Sequence, residues 1–184
     1  KTSDQAILLD IAKSSISYGF DHDTFLPVNL SQYSNLLHET RATFVTLHNK
    51  GQLRGCVGTL SAIRSILEDI SHNAFNAAFR DPRFLPVRKD EIDQLNIQIS
   101  ILSDCKELIF TSEQSLLEQL RPGIDGLVLS EGKNKSTFLP SVWDEIPTPE
   151  QFLVQLKKKA GLPQDYWSNT IRIEQYTVEQ FGCK

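Results

Sequence analysis

The sequence predicts an α+β fold, with mixed or antiparallel sheets and flanking helices, in a single domain at residues 1–184. Segments with the 3.6-residue periodicity of helices mix with segments that have the two-residue periodicity of strands. They follow no steady βαβ rhythm, so a doubly wound parallel sheet is disfavoured. The length of 184 residues is close to the usual size of one domain.

The composition narrows the classes of function. The net charge of −4 and the pI near 5.6 argue against broad attraction to nucleic acid or to an anionic membrane. Apolar runs are far shorter than the roughly 20 residues that span a bilayer, and no signal peptide opens the sequence. Three cysteines without CxxC spacing, Cys56, Cys105 and Cys183, indicate reduced thiols. We therefore expect a cytoplasmic protein.

The first third of the chain predicts a helix and then a hairpin. Ser3 can cap a helix whose apolar residues recur at helical spacing, and Gly19 can end it. Two β-rich runs, at residues 42–48 and 53–59, flank residues 49–52. Because the Asn and Gly of that stretch tolerate positive φ, it predicts the turn of a hairpin.

The middle of the chain predicts a second helix and a strand. Ser65 and Glu68 form a capping-box pattern at the start of an amphipathic helix. Pro82 ends this helix because proline lacks an amide hydrogen. Residues 96–102 alternate isoleucine with polar residues, which is typical of a strand with one buried face.

The last third predicts a second hairpin, a helix and a final strand. Residues 127–129 are predicted to pair with residues 137–139. Thr148 caps a helix that runs to Ala160, and the lysine-rich last turn of this helix complements its dipole. Residues 171–174 have the composition of a last strand.

The leading candidate site is the stretch Leu-Arg-Gly-Cys-Val-Gly-Thr at residues 53–59. In an unbroken strand Arg54, Cys56 and Gly58 share one face, so a guanidinium lies beside a thiol. A fixed positive charge favours the nucleophilic thiolate, and glycines let a ligand or another backbone approach closely. The pattern therefore predicts a nucleophilic cysteine or an anion-binding pocket.

A purely structural interpretation of the same stretch stays open. Cys56 then packs as a small hydrophobic residue, the glycines mark bulges or tight crossings, and Arg54 pairs with a carboxylate. A nucleophilic thiol usually needs a base, but none of the four histidines is spaced to meet Cys56. His48 is the nearest, and an antiparallel hairpin places it near Leu53 or Gln52, at the opposite end from the thiol.

Other chemistries have less support. The cysteines and histidines are scattered, so no local metal cluster is predicted, and the stretch lacks the GK[ST] ending of a phosphate loop. Asp-Pro-Arg-Phe at residues 81–84 follows the second helix with opposed charges. This indicates either a substrate-orienting group or a turn with a salt bridge. Trp143 is expected in the core.

Several ordered motifs together resemble the AMMECR-type domain family, and within it the group called AmmeMemoRadiSam system protein A. The resemblance spans nearly the whole chain. The motifs are Leu-Arg-Gly-Cys-Val-Gly-Thr at 53–59, Ala-Ala-Phe-Arg-Asp-Pro-Arg-Phe at 77–84, Asp-Gly-Leu-Val-Leu at 125–129, Thr-Phe-Leu-Pro-Ser-Val-Trp at 137–143 and Lys-Ala-Gly-Leu-Pro at 159–163.

The resemblance implies a larger and a smaller lobe around a cleft, with the Arg-Gly-Cys segment near that cleft. It implies a Memo-like protein and a radical SAM protein as partners, but it brings no established activity and no known cofactor. One hypothesis is an enzyme in which Cys56 is the nucleophile or a ligand contact, Arg54 binds an anionic group, and Asp81 and Arg83 support them.

The alternative hypothesis is a non-catalytic module that binds a partner protein or a small molecule. A third, association with nucleic acid, conflicts with the acidic pI. For the first hypothesis the candidate residues form one set around the cysteine. They are Arg54, Gly55, Cys56, Gly58, Thr59, Asp81 and Arg83.

Overall fold

The structure is a computed structural model that describes residues 2–182. It divides into two compact units, one formed by residues 2–102 together with residues 179–182, the other by Ser103–Val178. Each unit contains a four-stranded sheet and a hydrophobic core of its own. The mixture of helices with antiparallel sheets confirms the predicted α+β class. No helix among residues 2–182 has the length and apolar character needed to cross a bilayer.

The described elements comprise four α-helices, eight strands and four short 3-10 helices. The α-helices are α1 (Thr2–His22), α2 (Ile66–Phe79), α3 (Glu113–Leu117) and α4 (Pro149–Lys159). The strands are β1 (Thr43–Asn49), β2 (Gln52–Gly58), β3 (Leu95–Leu102), β4 (Lys106–Glu107), β5 (Gly126–Glu131), β6 (Asn134–Phe138), β7 (Arg172–Tyr176) and β8 (Val178–Gly182). The 3-10 helices are Leu30–Gln32, Asn35–His38, Lys89–Gln94 and Pro140–Asp144.

The first unit packs α1 and α2 on one face of a sheet with strand order β2-β1-β3-β8. Its core joins both helices to the sheet through residues such as Ile16, Leu67, Val45 and Ile99, each fully buried. The predicted first hairpin is confirmed as β1 and β2. Its turn has positive φ at Lys50 and Gly51, as two-residue hairpin turns require.

The predicted ends of α1 are wrong. The helix already includes Ser3, and it continues through Gly19 to His22. A Cβ on Gly19 would lie 2.6 Å from a ring atom of Phe79. The glycine therefore permits the close crossing of α1 with α2, a packing role that the sequence pattern could not distinguish from a helix stop.

The capping box at the start of α2 is confirmed. The Ser65 hydroxyl accepts the Glu68 N–H at 3.3 Å, and the Glu68 carboxylate accepts the Ser65 N–H at 3.2 Å. The helix ends at Phe79, shortly before Pro82, as predicted. The strand predicted at residues 96–102 is β3, but it does not have only one buried face, because Gln98 on the polar side is 7% exposed.

The second unit has the strand order β4-β7-β5-β6. The hairpin predicted for its middle is confirmed, since β5 and β6 pair antiparallel with Leu127 opposite Phe138. Trp143 lies in the core as expected, stacked on Phe152 with ring centroids 3.7 Å apart. The predicted last strand is β7, but it is not the last, because β8 follows and joins the sheet of the first unit.

Helix α4 begins with the predicted cap, since the Thr148 hydroxyl accepts the Gln151 N–H at 3.4 Å. Its last turn carries a contact that dipole reasoning did not anticipate. The Lys157 side chain is fully buried, and its Nζ lies 2.7 Å from Glu113 Oε1. The ammonium also lies 5.6 Å from the centre of the Trp167 ring. An ion pair between the buried Lys157 and the partly exposed Glu113, whose side chain is 38% exposed, therefore ties α4 to α3.

Candidate functional site

Cys56 lies on β2, the edge strand of the first sheet, and its side chain points away from the helices. The neighbouring Gly55 faces α2 so closely that a Cβ would lie 2.1 Å from the Ala77 carbonyl oxygen. Val57 packs against the core on the same side. Successive side chains of a strand alternate in direction, so Cys56 projects from the opposite face. There its Sγ lies 3.3 Å from Thr46 Oγ1 on β1.

Asp81 and Arg83 close the outer edge of β2 at the cysteine. The Cys56 N–H donates to Asp81 Oδ2 at 2.9 Å, and Arg83 Nη2 donates to the Cys56 carbonyl at 3.1 Å. The two side chains are themselves joined by a two-pronged pair, with Nε–Oδ1 at 2.9 Å and Nη2–Oδ2 at 2.7 Å. They occupy the place of a neighbouring strand, and this fixes the backbone that carries the thiol.

Asp81 and Arg83 stabilise each other's charged forms. Hydrogen bonding by Arg83 holds the pKa of the Asp81 carboxyl well below its ordinary value, against the opposing effect of burial. The Asp81 side chain is 3% exposed, whereas that of Arg83 is 55% exposed. The pKa of Arg83 is raised chiefly by its hydrogen bond to Asp81, against the opposing effect of burial. Arg83 is therefore the guanidinium that contacts the Cys56 backbone, through the carbonyl of that residue.

Arg54 does not stand where an unbroken strand would place it. The pairing of β1 with β2 shifts between Leu47 and His48, and the resulting bulge leaves Arg54 without a partner residue on β1. Its guanidinium binds Glu91, with Nε–Oε1 at 2.9 Å, and donates to the Leu85 carbonyl at 2.8 Å. Because the bulge breaks the side-chain alternation of β2, Arg54 does not take the position beside Cys56 that the sequence predicted.

The Arg54 contacts match the structural interpretation, in which this arginine pairs with a carboxylate. Hydrogen bonding by Arg54 lowers the pKa of Glu91 to about 2, helped by the Arg88 N–H. Both partner side chains are 17% exposed. Arg54 thus anchors the segment between α2 and β3, and Arg83 is the arginine that contacts Cys56.

Thr59 and Gly58 have structural contacts. The Thr59 hydroxyl donates to Asp69 Oδ2 at 2.9 Å, and Asp69 is fully buried. That carboxylate also accepts the Thr43 N–H at 3.0 Å and an Asn73 amide hydrogen at 3.0 Å. A Cβ on Gly58 would meet the Phe44 ring at 2.2 Å.

The sequence reasoning missed the Asp69 network. Asp69 and Asn73 stand four residues apart within the apolar pattern of α2, and both are fully buried. Two polar residues at that spacing inside an otherwise apolar helix are the signal that could have identified a buried network. Their role is to connect α2 with the two strands of the hairpin.

The described residues bring no histidine into hydrogen-bonding contact with Cys56. His48 lies opposite Leu53, as predicted, and its Nδ1 is buried without a hydrogen-bond partner. Within residues 2–182, no three His, Cys, Asp or Glu side chains are grouped to hold a metal ion. Cys56 and Cys105 are free thiols, and Cys183 lies outside the described residues.

The fold and these motifs define an α+β protein with a cysteine on an edge strand, and comparison with known proteins gives its family. The AMMECR1 family model matches residues 9–181. The chain therefore belongs to the AMMECR1 family, and this confirms the resemblance at the level of the AMMECR-type domain family.

Archaeal proteins show the same relationship. A protein of Methanothermobacter thermautotrophicus is 32% identical over 153 residues, which cover 80% of this chain and 78% of that protein. NEQ441 of Nanoarchaeum equitans is 31% identical over 94% of this chain and 95% of its own. The crystal structure of the uncharacterized protein PH0010 from Pyrococcus horikoshii has a TM-score of 0.83 and 28% identity, covering 96% of this chain and 89% of that one.

Proposed function

We propose that the protein is a cysteine-dependent enzyme that acts on an anionic small molecule, with Cys56 as nucleophile and Arg83 as the anion-binding group. The observation that carries this proposal is the half-exposed Arg83 guanidinium, which Asp81 holds against the Cys56 segment. A cation fixed next to an accessible thiol is the environment in which cysteines react.

Arg83 is suited to bind an oxyanion. Two of its nitrogens are used by Asp81 and the Cys56 carbonyl, whereas Nη1 makes no hydrogen bond with any described residue. This leaves Nη1 to donate to a carboxylate or phosphate oxygen of a substrate. Asp81 positions the guanidinium, so it acts through Arg83 and does not touch the substrate.

Cys56 is suited to attack an electrophilic carbon near that oxyanion. The sulfur forms the new S–C bond, and the displaced group leaves with the bonding electron pair. The thiol proton passes to solvent. The Thr46 hydroxyl, 3.3 Å from Sγ, restricts the orientation of the sulfur.

The proposal is tested with a strain in which the protein's own copy is deleted. Wild type, Cys56→Ala and Arg83→Gln are returned separately, with Cys105→Ala as the matched control because Cys105 is also a free thiol. We expect an anionic metabolite to accumulate in the deletion strain and with Cys56→Ala or Arg83→Gln. Wild type and Cys105→Ala should clear it. Equal clearance by Cys56→Ala would contradict a catalytic cysteine.

A second candidate function is a non-catalytic module of an AmmeMemoRadiSam system, binding a Memo-like or a radical SAM protein. It is supported by two exposed leucines next to Arg54: Leu53 is 42% exposed and Leu85 is 84% exposed. Exposed apolar side chains near one another are typical of interaction surfaces. Leu53→Ser with Leu85→Ser should abolish co-purification with either partner while Cys56→Ala retains it. Unchanged co-purification in the leucine variant would rule out this surface.

A further inference from the structure

A row of three side chains crosses the first sheet through Cys56. Cys56 on β2 lies opposite Thr46 on β1, and Thr46 lies opposite Gln98 on β3. Residues directly opposite each other in antiparallel strands project from the same face. Ile97 and Ile99 pack on the helical side, which places Gln98 on the face that carries the thiol.

Gln98 is a buried polar residue without a partner. It is 7% exposed, and its side-chain amide makes no hydrogen bond with any described residue. Ser100, two residues along the same face, is 5% exposed but accepts a hydrogen bond from Gln180 at 3.2 Å. Neither atom of the Gln98 amide is among the fully buried side-chain atoms that lack a partner, so the amide reaches solvent on this face and is free to bind a ligand.

A second unpartnered group lies on the same face. His48 follows Thr46 by two residues on β1, so their side chains point the same way. Its Nδ1 is buried and has no hydrogen-bond partner. Thr46 is thus flanked by Gln98 across the sheet and by His48 along the strand, and both neighbours carry unused hydrogen-bonding atoms.

We propose that Gln98 is a specificity-determining residue that binds the far end of the ligand whose near end lies at Cys56 and Arg83. This inference rests on the proposed function of Cys56. Two strand spacings separate β2 from β3, so the far group lies about 9–10 Å from the group at the thiol. A glutamine amide offers a donor beside an acceptor. It complements a carboxamide or the edge of a nucleobase.

The test uses thiol reagents of defined length. Iodoacetamide reports whether Cys56 is accessible at all. An iodoacetyl compound ending in a primary carboxamide about 9–10 Å from the reacting carbon is compared with one of the same shape ending in an isopropyl group. A third ends in adenine, which separates a nucleobase from a carboxamide. Alkylation of Cys56 and Cys105 is followed by peptide mass spectrometry, so each protein carries its own control thiol.

Wild type should react with a carboxamide or an adenine probe about threefold to tenfold faster at Cys56 than with the isopropyl probe. Gln98→Leu should remove this preference, and Cys105 should show none. Gln98→Asn keeps the amide and should retain part of the preference. This variant also serves as the test if Gln98→Leu does not fold. Equal rates for all probes at an alkylated Cys56 would overturn the Gln98 inference alone. Failure of iodoacetamide at native Cys56 would overturn the proposed function itself.

Discussion

Asp81 accepts the backbone N–H of Cys56 at 2.9 Å, although 25 residues separate them in the chain. The same carboxylate holds Arg83, which in turn donates to the Cys56 carbonyl. The position of the thiol is thus set by hydrogen bonds from the segment that follows α2, as well as by the pairing of β2 with β1. The short segment after α2 is therefore part of the candidate site.

Asp81→Ala is expected to lower the free energy of unfolding by roughly 1.5 to 3 kcal/mol, since it leaves the Cys56 N–H and the Arg83 guanidinium without their charged acceptor. Urea denaturation measures the loss. Asp90→Ala is the matched control: Asp90 pairs with Arg88 two residues away at the same 2.7 Å, but its side chain is 68% exposed. The control should leave the free energy of unfolding nearly unchanged, because solvent screens an exposed ion pair. Equal losses in both variants would show that Asp81 is an ordinary surface partner.

Glu91 makes stability depend on pH. Its pKa in the folded protein is about 2, below the ordinary 4.5, so the folded state binds fewer protons than the unfolded state in this range. The stability from the Arg54 pair is fully present above about pH 4.5 and is lost as the pH falls towards 2. The free energy of unfolding, measured by denaturation at several pH values between 7 and 3, should therefore decrease more steeply with falling pH for wild type than for Glu91→Gln. Parallel curves would contradict this account.

Gly55 and Gly58 should differ in how they tolerate a methyl group. A Cβ at Gly55 meets the backbone oxygen of Ala77, which cannot rotate away, whereas a Cβ at Gly58 meets the Phe44 ring. We expect Gly55→Ala to destabilise the protein by about 3 kcal/mol and Gly58→Ala by about 1 kcal/mol. Thermal denaturation of the two variants shows which substitution destabilises the protein more. A larger loss at Gly58 would mean that β2 lies further from α2 than described.

The buried Lys157 pair should respond differently to changes in its two partners. Glu113→Ala leaves the buried ammonium with the Gln164 carbonyl but without its carboxylate, and it is expected to cost about 2 kcal/mol because Glu113 is itself 38% exposed. Lys157→Met removes the buried charge and keeps the volume, so it should cost less than about 1.5 kcal/mol. Denaturation of the two variants measures how much stability each substitution removes. A greater cost for Lys157→Met would indicate that packing by the lysine stem, not its charge, holds α4.

The sequence predicted those elements whose signals are local. The capping box of Ser65 and Glu68, the turn at residues 49–52 and the cap at Thr148 each depend on a few neighbouring residues, and each was found. The buried position of Trp143 was predicted from its residue type alone. The prediction that Gly19 ends α1 was wrong because the glycine is required by the close approach of Phe79, sixty residues away in the chain.

The sequence drew attention to the Cys56 segment, whose role as a site stays a prediction, but the contacts within that segment were not predictable. Strand alternation assigned the cation next to Cys56 to Arg54, since a bulge leaves no clear mark in a single sequence. Arg83 reaches Cys56 only because α2 returns the chain to the outer edge of β2. Gln98 belongs to a third strand, so its place in the row follows from sheet order and register alone.

The central claim, that Arg83 supplies the positive charge at a reactive Cys56, is tested most directly by comparing an anionic with a neutral alkylating reagent. The ratio of iodoacetate to iodoacetamide rates at Cys56 cancels differences in thiolate content and reports the local charge. Arg83→Gln should lower this ratio about fivefold, since one charge at about 4 Å in water contributes about 1 kcal/mol. Arg80→Gln is the control, because Arg80 is similarly exposed, and it should leave the ratio at Cys56 unchanged. Neither variant should change the ratio measured at Cys105. An unchanged ratio in Arg83→Gln would contradict the account.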